Sequence, residues 1–588
     1  MKKSVIAFIV VVAMLVSLTS CALIDLETPK NSAPENKSTE VSRGEKESHH
    51  FEDNDLLYAN DDDTSVITMY LTVSKGTASE NTNHTWEEIN TYSVYDYNEM
   101  GVERYAVNGL LQVGDENGPL EGELGYGRYI PNATVTIRGQ TSSRYSQKNY
   151  KIKLMDGVGE WNEQRTINLN KHQSDGLRFR NKLAYDLLEE LPGMMALQTQ
   201  FVHLYVKDET EGANAKFEDY GLYTQVEQPN KRFLERHGLD KNGHLYKINF
   251  FEFYRYADVI MLKSDANYDV KAFEERIEIK GDDNHSKLIS MLEDVNDESQ
   301  SIDDVLERWF DVDNFASWMA FHILIGNIDT QSRNTLLYSP LNENKWYFIS
   351  WDNDGSLDRT ETYVKSGRSE IGWEYGICNY WGNVLFRRAF KSESFRTLLN
   401  EKVEEFYALL TEEKLQGMIE SYAEVVKPFV YGEVDKYYAR VTESDYDYVC
   451  QQIPEEIAQN YQLYKESYEV PMPFFIGVPE AKEDAIEFTW DSSYDFEQEN
   501  IFYSFELADN LEFQNPLATE KGIFVPGYTY EGSLEPGQYF VRVKSVNESG
   551  KEQYAFDYYV TQQSEKKYGI MCFYVMSDGS IGVQENEE

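Results

Sequence analysis

The chain has 588 residues, enough for about two to four domains. It carries 102 acidic against 55 basic residues, a net charge of −47, and 14% of its residues are aromatic. The aromatic content excludes global disorder. The negative charge excludes an extended nucleic-acid or anionic-membrane surface, because cations supply the affinity for phosphates. We therefore expect no nucleic-acid partner, and any phosphate ligand must meet a local basic pocket or a divalent metal.

The first twenty residues have the pattern of a secretory signal. Lys2 and Lys3 precede the apolar run Val5–Val16, which is too short to cross the ~30 Å hydrocarbon core of a membrane. The sequence LTSC that follows resembles a bacterial lipobox. We predict a lipoprotein signal peptide at 1–20 and acylation of Cys21, hence an extracytoplasmic protein held at the cell membrane by its lipid anchor only. A plain secretory signal with cleavage nearby is the alternative.

Residues 21–63 are polar and acidic, which predicts a solvated tether. Three cysteines lie further along the chain, at Cys378, Cys450 and Cys572. Their wide spacing matches neither a metal site nor a disulfide framework, so we expect free or buried thiols.

Between residues 64 and 468 the sequence pattern predicts an α+β domain. Alternating apolar residues predict strands at 65–74, in two runs within 133–154, and at 201–206 and 220–227, with a helix at 182–191. Helical periodicity then dominates 302–466 and is interrupted by the strand-like runs NTLLY and WYFIS. A mixed sheet region followed by a helical region is typical of the α+β class.

The pattern changes after Pro471-Met472-Pro473. Short strand-like runs separated by turn residues, with Trp490 on an early strand, resemble an all-β fibronectin type III-like sandwich over 474–562. We expect this sandwich to space or dock other domains. The remaining residues, 563–588, predict one further strand pair or a tail.

The candidate catalytic and metal-binding residues lie in the segment 312–355. An amphipathic helix at 312–325 leads into a loop with Asp329 and Asn334, and the strand NTLLY follows. After a short connection, the strand at 346–351 ends in Asp352-Asn353-Asp354-Gly355. If the two strands pair as a hairpin, the loop aspartate and the strand-end aspartates lie in one cleft.

This residue set suits phosphorylation of a hydroxyl group. Such a reaction needs a carboxylate that orients the attacking hydroxyl and oxygen ligands that hold Mg²⁺ on the triphosphate. An aspartate, an asparagine five residues later and a strand-end aspartate form the arrangement of protein-kinase catalytic loops. Here these residues are Asp329, Asn334 and Asp352. The nine histidines lack the spacing of a zinc helix, so a zinc hydrolase is not expected.

Several ordered blocks resemble the spore coat protein H (CotH) kinase family of atypical, secreted or surface-associated protein kinases. The blocks are IRGQTSSR at 137–144, KNYKIK at 148–153, YGLYTQVEQ at 220–228, GHLYK at 243–247 and WDND at 351–354. Together with the loop around Asp329 they span about residues 65–430. Each block alone is weak, but the ordered set is specific. The chain has no GxGxxG loop, as the resemblance to an atypical family leads us to expect.

The resemblance implies a role for each matching residue. Asp329 is the expected catalytic residue, and the expected metal ligands are Asp352, Asn334 and Asp354. Lys148 is expected to meet the nucleotide phosphates, with further contacts from Arg138, Arg144 and Lys247. Glu227 is expected either to pair with the lysine or to contact the nucleoside.

We therefore predict a kinase that transfers the γ-phosphoryl group of ATP to a Ser or Thr hydroxyl of a protein, with Mg²⁺ or Mn²⁺. One alternative is a cell-surface binding protein whose kinase-like fold no longer catalyses. Another is a different metal-dependent phosphoryl or nucleotidyl transferase that uses the same site.

Overall fold

The computed structural model describes residues 53–58, 62–212 and 215–583. The predicted signal peptide, Cys21 and most of the predicted tether lie outside these residues. No helix in the described part of the chain is both long enough and apolar enough to span a membrane. Within the same part, Cys378, Cys450 and Cys572 are free and buried, which confirms their prediction as thiols.

Eight strands form the first sheet. They are β1 (Val66–Ser74), β2 (Val107–Asp115), β3 (Gly118–Pro119), β4 (Ala133–Arg138), β5 (Asn149–Leu154), β6 (Thr166–Asn170), β7 (Thr199–Asp208) and β8 (Glu218–Val226). Their order is β1-β7-β8-β6-β5-β4-β2-β3, and an additional pairing of β1 with β2 closes seven of them into a ring. Side chains alternate between the two faces of each strand. The apolar side chains on one face of the ring form a common core.

The second sheet is smaller and lies within the helical part of the chain. It contains β9 (His244–Ile248), β10 (Ile277–Ile279), β11 (Thr335–Ser339) and β12 (Tyr347–Ser350), in the antiparallel order β10-β9-β11-β12. The helix Val312–Leu324 begins where the Asp311 side chain accepts a hydrogen bond from the Asn314 N–H at 2.9 Å. This helix is buried almost throughout and packs against β12, so it anchors the loop that follows it.

Helices of the described residues account for most of the rest of this domain. The α-helices are Trp86–Thr91, Val94–Met100, Arg180–Glu189, Lys231–Arg236, Val270–Arg276, Ser286–Asn296, Ile302–Trp309, Val312–Leu324, Arg359–Ser366, Val384–Lys391, Glu393–Leu409, Glu412–Val430 and Glu443–Glu466. Short 3₁₀ turns lie at Asp55–Leu57, Ala78–Glu80, Thr141–Arg144, Ile328–Gln331, Cys378–Tyr380 and Lys436–Tyr438. The mixed sheets and helices confirm the predicted α+β class.

The C-terminal part is built from strands. They are β13 (Glu480–Ala481), β14 (Ala485–Phe488), β15 (Ile501–Ala508), β16 (Ala518–Ile523), β17 (Tyr528–Glu531), β18 (Gly537–Asn547), β19 (Glu552–Tyr554), β20 (Tyr558–Val560), β21 (Lys566–Tyr568), β22 (Ile570–Val575) and β23 (Ile581–Val583). A sheet of β13, β14 and β17 shares one apolar core with a sheet ordered β16-β15-β18-β22-β23. Two sheets over one core form a sandwich; its fibronectin type III-like class stays a prediction.

The predicted end of the sandwich at residue 562 is wrong. β22 pairs with β18 and β23 pairs with β22, so the expected C-terminal strand pair completes the larger sheet. This boundary was not predictable because the local sequence pattern identifies a strand but does not show which distant strand it pairs with.

A hairpin of β20 and β21 leaves the sandwich and contacts the α+β domain. The Lys566 ammonium and the Tyr568 hydroxyl both reach the Glu374 carboxylate at 2.7 Å. Arg368 donates to the Ser564 carbonyl at 2.8 Å, and the Trp373 indole N–H donates to the Phe556 carbonyl at 3.1 Å. The sandwich is thus docked on the segment that follows the Asp352–Asp354 turn.

Part of the predicted tether is also docked. Asp53 contacts the buried His237, and the Tyr58 hydroxyl donates to the Ala196 carbonyl at 2.8 Å. The prediction of a solvated tether up to residue 63 is therefore wrong for residues 53–58, because their polar groups find partners on the folded domain.

Candidate active site

The predicted hairpin is present and brings the two candidate segments together. β11 and β12 pair antiparallel with Thr335 opposite Ser350. Asn334, directly before β11, therefore lies at the same end of the hairpin as Trp351 and Asp352, directly after β12. Asn334 and Asp352 both have positive φ, 55° and 59°. Such conformations are uncommon outside glycine and cluster at functional sites.

The loop that carries Asp329 is held from several sides. Asn379 and Asn383 donate their side-chain amides to the carbonyls of Ile328 and Gln331, at 3.0 and 2.9 Å. On its other side, the Phe251 N–H donates to the carbonyl of Ser332 at 2.8 Å. These bonds fix the backbone on which the candidate catalytic carboxylate stands.

Asp329 lies beside the turn that carries the two other aspartates. Its Oδ2 is 3.8 Å from the position that a Cβ on Gly355 would occupy. Its Oδ1 accepts a hydrogen bond from the Arg333 guanidinium at 2.7 Å. The side chain of Asp329 is 38% exposed, so the carboxylate can be reached from solvent.

The helix Arg180–Glu189 positions the turn of Asp352 to Gly355. The Asp352 N–H donates to the Tyr185 hydroxyl at 3.1 Å, and the Asn353 N–H donates to the Asn181 side-chain carbonyl at 2.9 Å. The side chain of Asn353 is buried and accepts from Asn327 at 3.1 Å. The turn and the Asp329 loop are thus joined through buried amides.

The two turn carboxylates influence each other. Burial and the neighbouring Asp354 carboxylate raise the pKa of Asp352 to about 6. Burial would also raise the pKa of Asp354, but the hydrogen bond and charge of His172 outweigh it, so this pKa is lowered. His172 Nδ1 lies 3.4 Å from Asp354 Oδ2. Burial is the larger cause of the raised pKa of Asp352, and the nearby cations Lys247 and Arg138 oppose it.

Two predicted cations lie near these carboxylates. Burial lowers the pKa of Arg138, and the charges of Asp352 and Asp354 oppose that effect. Burial likewise lowers the pKa of Lys247, with Glu278 and Asp352 opposing it. The Lys247 ammonium also lies 5.9 Å from the centre of the Trp351 ring.

The donor set fits a magnesium ion that is completed by phosphates. No group of three or more His, Cys, Asp or Glu side chains within residues 53–58, 62–212 and 215–583 has the geometry of an ion cage. Mg²⁺ is usually bound by one or two carboxylates together with phosphates and waters. Asp352 and Asp354 could supply the carboxylates, and Asn334 could supply an amide oxygen at the same end of the hairpin.

The structure places Lys148 and Arg144 away from the carboxylates. The Lys148 side chain is buried and donates to the Ser143 carbonyl at 2.6 Å. Arg144 lies over the ring of Tyr95, 3.7 Å from its centre. Its ammonium is bonded beneath the serine-rich turn, and the expected contact of Lys148 with the nucleotide phosphates stays a prediction.

Glu227 does not pair with Lys148 either. It is buried at 1% exposure, with one carboxylate oxygen on Arg236 and the other 3.0 Å from His237 Nε2. Both oxygens are engaged within the protein, so the expected pairing with the lysine is absent, and the expected contact with the nucleoside stays a prediction. Both partners lie at the end of the helix Lys231–Arg236.

Lys151 is a residue that sequence reasoning missed. It lies opposite Thr136 of β4, on the strand face away from the buried Tyr150 and Ile152, and its side chain is exposed. Desolvation and the charges of Lys280 and Arg138 lower its pKa. Lys151 therefore lies close to two further cations, Lys280 and Arg138. Lys148 and Lys151 are three positions apart, so strand alternation places them on opposite faces. This alternation was the available sign in the sequence that the two lysines have different surroundings.

Comparisons with known proteins identify relatives of this chain. The family model described as CotH kinase protein matches residues 135–464, more than half of the chain. The inner spore coat protein H of Bacillus subtilis (strain 168) is 22% identical over 306 residues, covering 50% of this chain and 77% of that protein.

Two solved structures show only weak likeness. One is a Shewanella oneidensis MR-1 complex of the toxin–antitoxin proteins HipA and HipB with operator DNA, at 13% identity and a TM-score of 0.25. The match covers 51% of this chain and 59% of that chain, less than two thirds of its length. The other is the Helicobacter pylori proinflammatory kinase CtkA, at 9% identity, covering 58% and 93%, with a TM-score of 0.22. Neither score supports an argument.

The family match includes every residue of the hairpin, the Asp329 loop and the Asp352–Gly355 turn. The chain therefore belongs to the CotH kinase protein family.

Proposed function

We propose that the chain is an atypical protein kinase that transfers the γ-phosphoryl group of ATP to a Ser or Thr hydroxyl of an extracytoplasmic protein. One observation carries the proposal. The Asp329 carboxylate lies against the turn of Asp352 and Asp354, with the cations Arg138 and Lys247 close to that turn. Phosphoryl transfer needs an acceptor-orienting carboxylate next to a charge-neutralising site.

Asp329 orients the hydroxyl. Its Oδ2 is the carboxylate oxygen that lies against the Gly355 backbone, while Oδ1 is bonded to Arg333. A hydroxyl that donates to Oδ2 is therefore directed toward the Asp352–Gly355 turn, where the phosphates are expected. General-base assistance of this kind contributes about 10²- to 10⁴-fold in rate.

Asp352, Asp354 and Asn334 would hold Mg²⁺ or Mn²⁺, which when bound neutralises phosphate charge. His172 and the helix residues Asn181 and Tyr185 hold the turn in place for this purpose. The positive φ of Asp352 directs its side chain away from the path that a β-strand would impose.

Arg138, Lys247 and Lys151 bind the phosphates in this proposal. These cations come from two sheets, with Arg138 and Lys151 on the ring and Lys247 on β9, and the charge of Arg138 acts on both lysines. In a chain of net charge −47, such a local set is needed to hold a polyphosphate against general repulsion.

We also propose an extracytoplasmic location with a lipid anchor at Cys21. The lipobox-like sequence before Cys21 supports it. The relative from Bacillus subtilis is named for the inner spore coat, which supports a surface location.

Two labelled forms of ATP and two variants test the proposal. The full chain is incubated with Mn²⁺ and ATP that carries the label in the α- or the γ-phosphate. We expect protein labelling from the γ-phosphate only; α-labelling would favour nucleotidyl transfer. Asp329→Ala should lose transfer by at least about 10²-fold and keep nucleotide binding, whereas Asp352→Ala should lose metal-dependent binding.

Thermal stability with Mn²⁺ and ATP gives the binding readout, since a ligand that binds only the native state stabilises it. No shift in the wild type would favour the non-catalytic binding protein instead. Equal loss of binding in both variants would show that the roles of the two aspartates are misassigned.

A further inference from the structure

Arg333 contacts the candidate catalytic residue directly. Its guanidinium Nη2 lies 2.7 Å from Asp329 Oδ1, and the two side chains are 39% and 38% exposed. The two residues stand four positions apart, at the two ends of the loop between Asn327 and β11. Nothing in the kinase-like residue pattern requires an arginine here, because the pattern needs only the aspartate and the asparagine at Asn334.

The arginine is itself supported by a neighbouring loop. Its guanidinium carbon lies 5.6 Å from the centre of the Phe250 ring, on the segment after β9. The next residue of that segment, Phe251, donates its N–H to the carbonyl of Ser332, directly before the arginine. The backbone beside Arg333 and one face of its guanidinium are therefore held by the same segment.

This arrangement distinguishes the two oxygens of Asp329. Oδ1 is engaged by Arg333, whereas Oδ2 lies against Gly355, on the side of the Asp352–Asp354 turn. A carboxylate on a loop can rotate about its side-chain torsions, and a bonded guanidinium removes that freedom.

We propose that Arg333 is the positioning residue that holds Asp329 with Oδ2 directed at the acceptor hydroxyl. The inference rests on the proposed function. In the transfer step the hydroxyl oxygen forms a bond to the γ-phosphorus, and the bond from that phosphorus to the β–γ bridging oxygen breaks. ADP leaves with the electron pair, and the hydroxyl proton passes to Asp329 Oδ2.

The competing explanation is an ordinary surface ion pair. Exposed pairs of this kind contribute little to stability and nothing to a reaction. A structural role for the arginine would change folding or nucleotide binding, whereas positioning changes turnover alone. Misplacement of a reacting group by about 1 Å costs on the order of 100-fold in rate, which is large enough to separate these cases.

The test uses Arg333→Ala and Arg333→Lys in the full chain, with Arg276→Ala as the matched control. Arg276 also lies over an aromatic ring of the neighbouring segment, Tyr256, at 4.0 Å, but no contact joins it to Asp329. We expect Arg333→Ala to lower kcat about 100-fold at unchanged KM for ATP. Arg333→Lys should retain part of the activity, and the control should match the wild type.

Chemical rescue completes the experiment. Guanidinium chloride at low millimolar concentration should restore turnover of Arg333→Ala and should not restore Asp329→Ala. Unchanged kcat in Arg333→Ala, raised KM for ATP, or loss of turnover without rescue would each overturn the positioning role while the kinase assignment stands. A wild type that binds ATP but transfers no phosphate would overturn the proposed function, and this inference with it.

Discussion

Replacing His237 with glutamine is expected to destabilise the protein by an amount that depends on pH. The imidazole is fully buried between two carboxylates, with Nδ1 2.5 Å from Asp53 and Nε2 3.0 Å from Glu227. Burial alone would lower the pKa of His237, but these two carboxylates outweigh it and raise the pKa from 6.5 to about 9. The folded protein therefore holds this proton more tightly than the unfolded chain does.

The size and sign of the effect follow from that difference. A rise in pKa from 6.5 to about 9 corresponds to roughly 3 kcal/mol of stabilisation. Because the folded pKa is the higher one, this stabilisation is fully present below pH 6.5 and is lost as the pH rises through 9. The cost of His237→Gln should shrink accordingly, leaving only a pH-independent packing contribution at pH 10.

Urea denaturation followed by tryptophan fluorescence at half-unit steps from pH 6 to 10 measures this. His285→Gln is the matched control, since His285 is also buried and lies 2.9 and 3.1 Å from the hydroxyls of Tyr246 and Tyr268. Burial lowers the pKa of His285 to about 4, so it is neutral throughout the range. Its substitution should cost the same free energy of unfolding from about pH 7.5 to 10, and about 1 kcal/mol less at pH 6, where only the unfolded chain protonates this histidine.

A free-energy difference between wild type and His237→Gln that stays constant from pH 6 to 10 would refute the reasoning. It would mean that the two carboxylates do not hold His237 protonated in the folded protein.

Two further predictions concern the proposed phosphate-binding lysine and the docked hairpin. Lys151→Met should raise the Kd for Mn²⁺·ATP, measured by calorimetry, about tenfold, an effect of ~1.4 kcal/mol. Lys148→Met should leave this Kd unchanged. The reverse outcome would identify Lys148 as the phosphate ligand. Glu374→Gln should weaken the bonds to Lys566 and Tyr568, at about 1–3 kcal/mol, and speed trypsin cleavage at Arg368 about tenfold or more. Glu565→Gln, whose partner Lys567 lies within the hairpin, should not alter that cleavage; equal effects would exclude a docking role for Glu374.

The sequence determined the elements whose information is local. Apolar alternation located β1, β4 and β5, and the run into Asp329 together with the strand into Asp352 predicted the hairpin that β11 and β12 form. The spacing of the catalytic-loop residues involves only one loop and the next strands. It can therefore be recognised in the sequence without knowledge of the rest of the fold. The relation of Asp329 to the Asp352–Gly355 turn was predictable for that reason.

Tertiary structure decided which side chains reach the cleft. Alternation shows that Lys148 and Lys151 lie on opposite faces of the chain, but it does not show which face becomes the interior. Closure of the ring by β1 and β2 settles that, and it buries Lys148 while leaving Lys151 exposed. The partners of Glu227 were not predictable from the sequence, because buried charges pair by proximity in space and Arg236 and His237 share no local pattern with it.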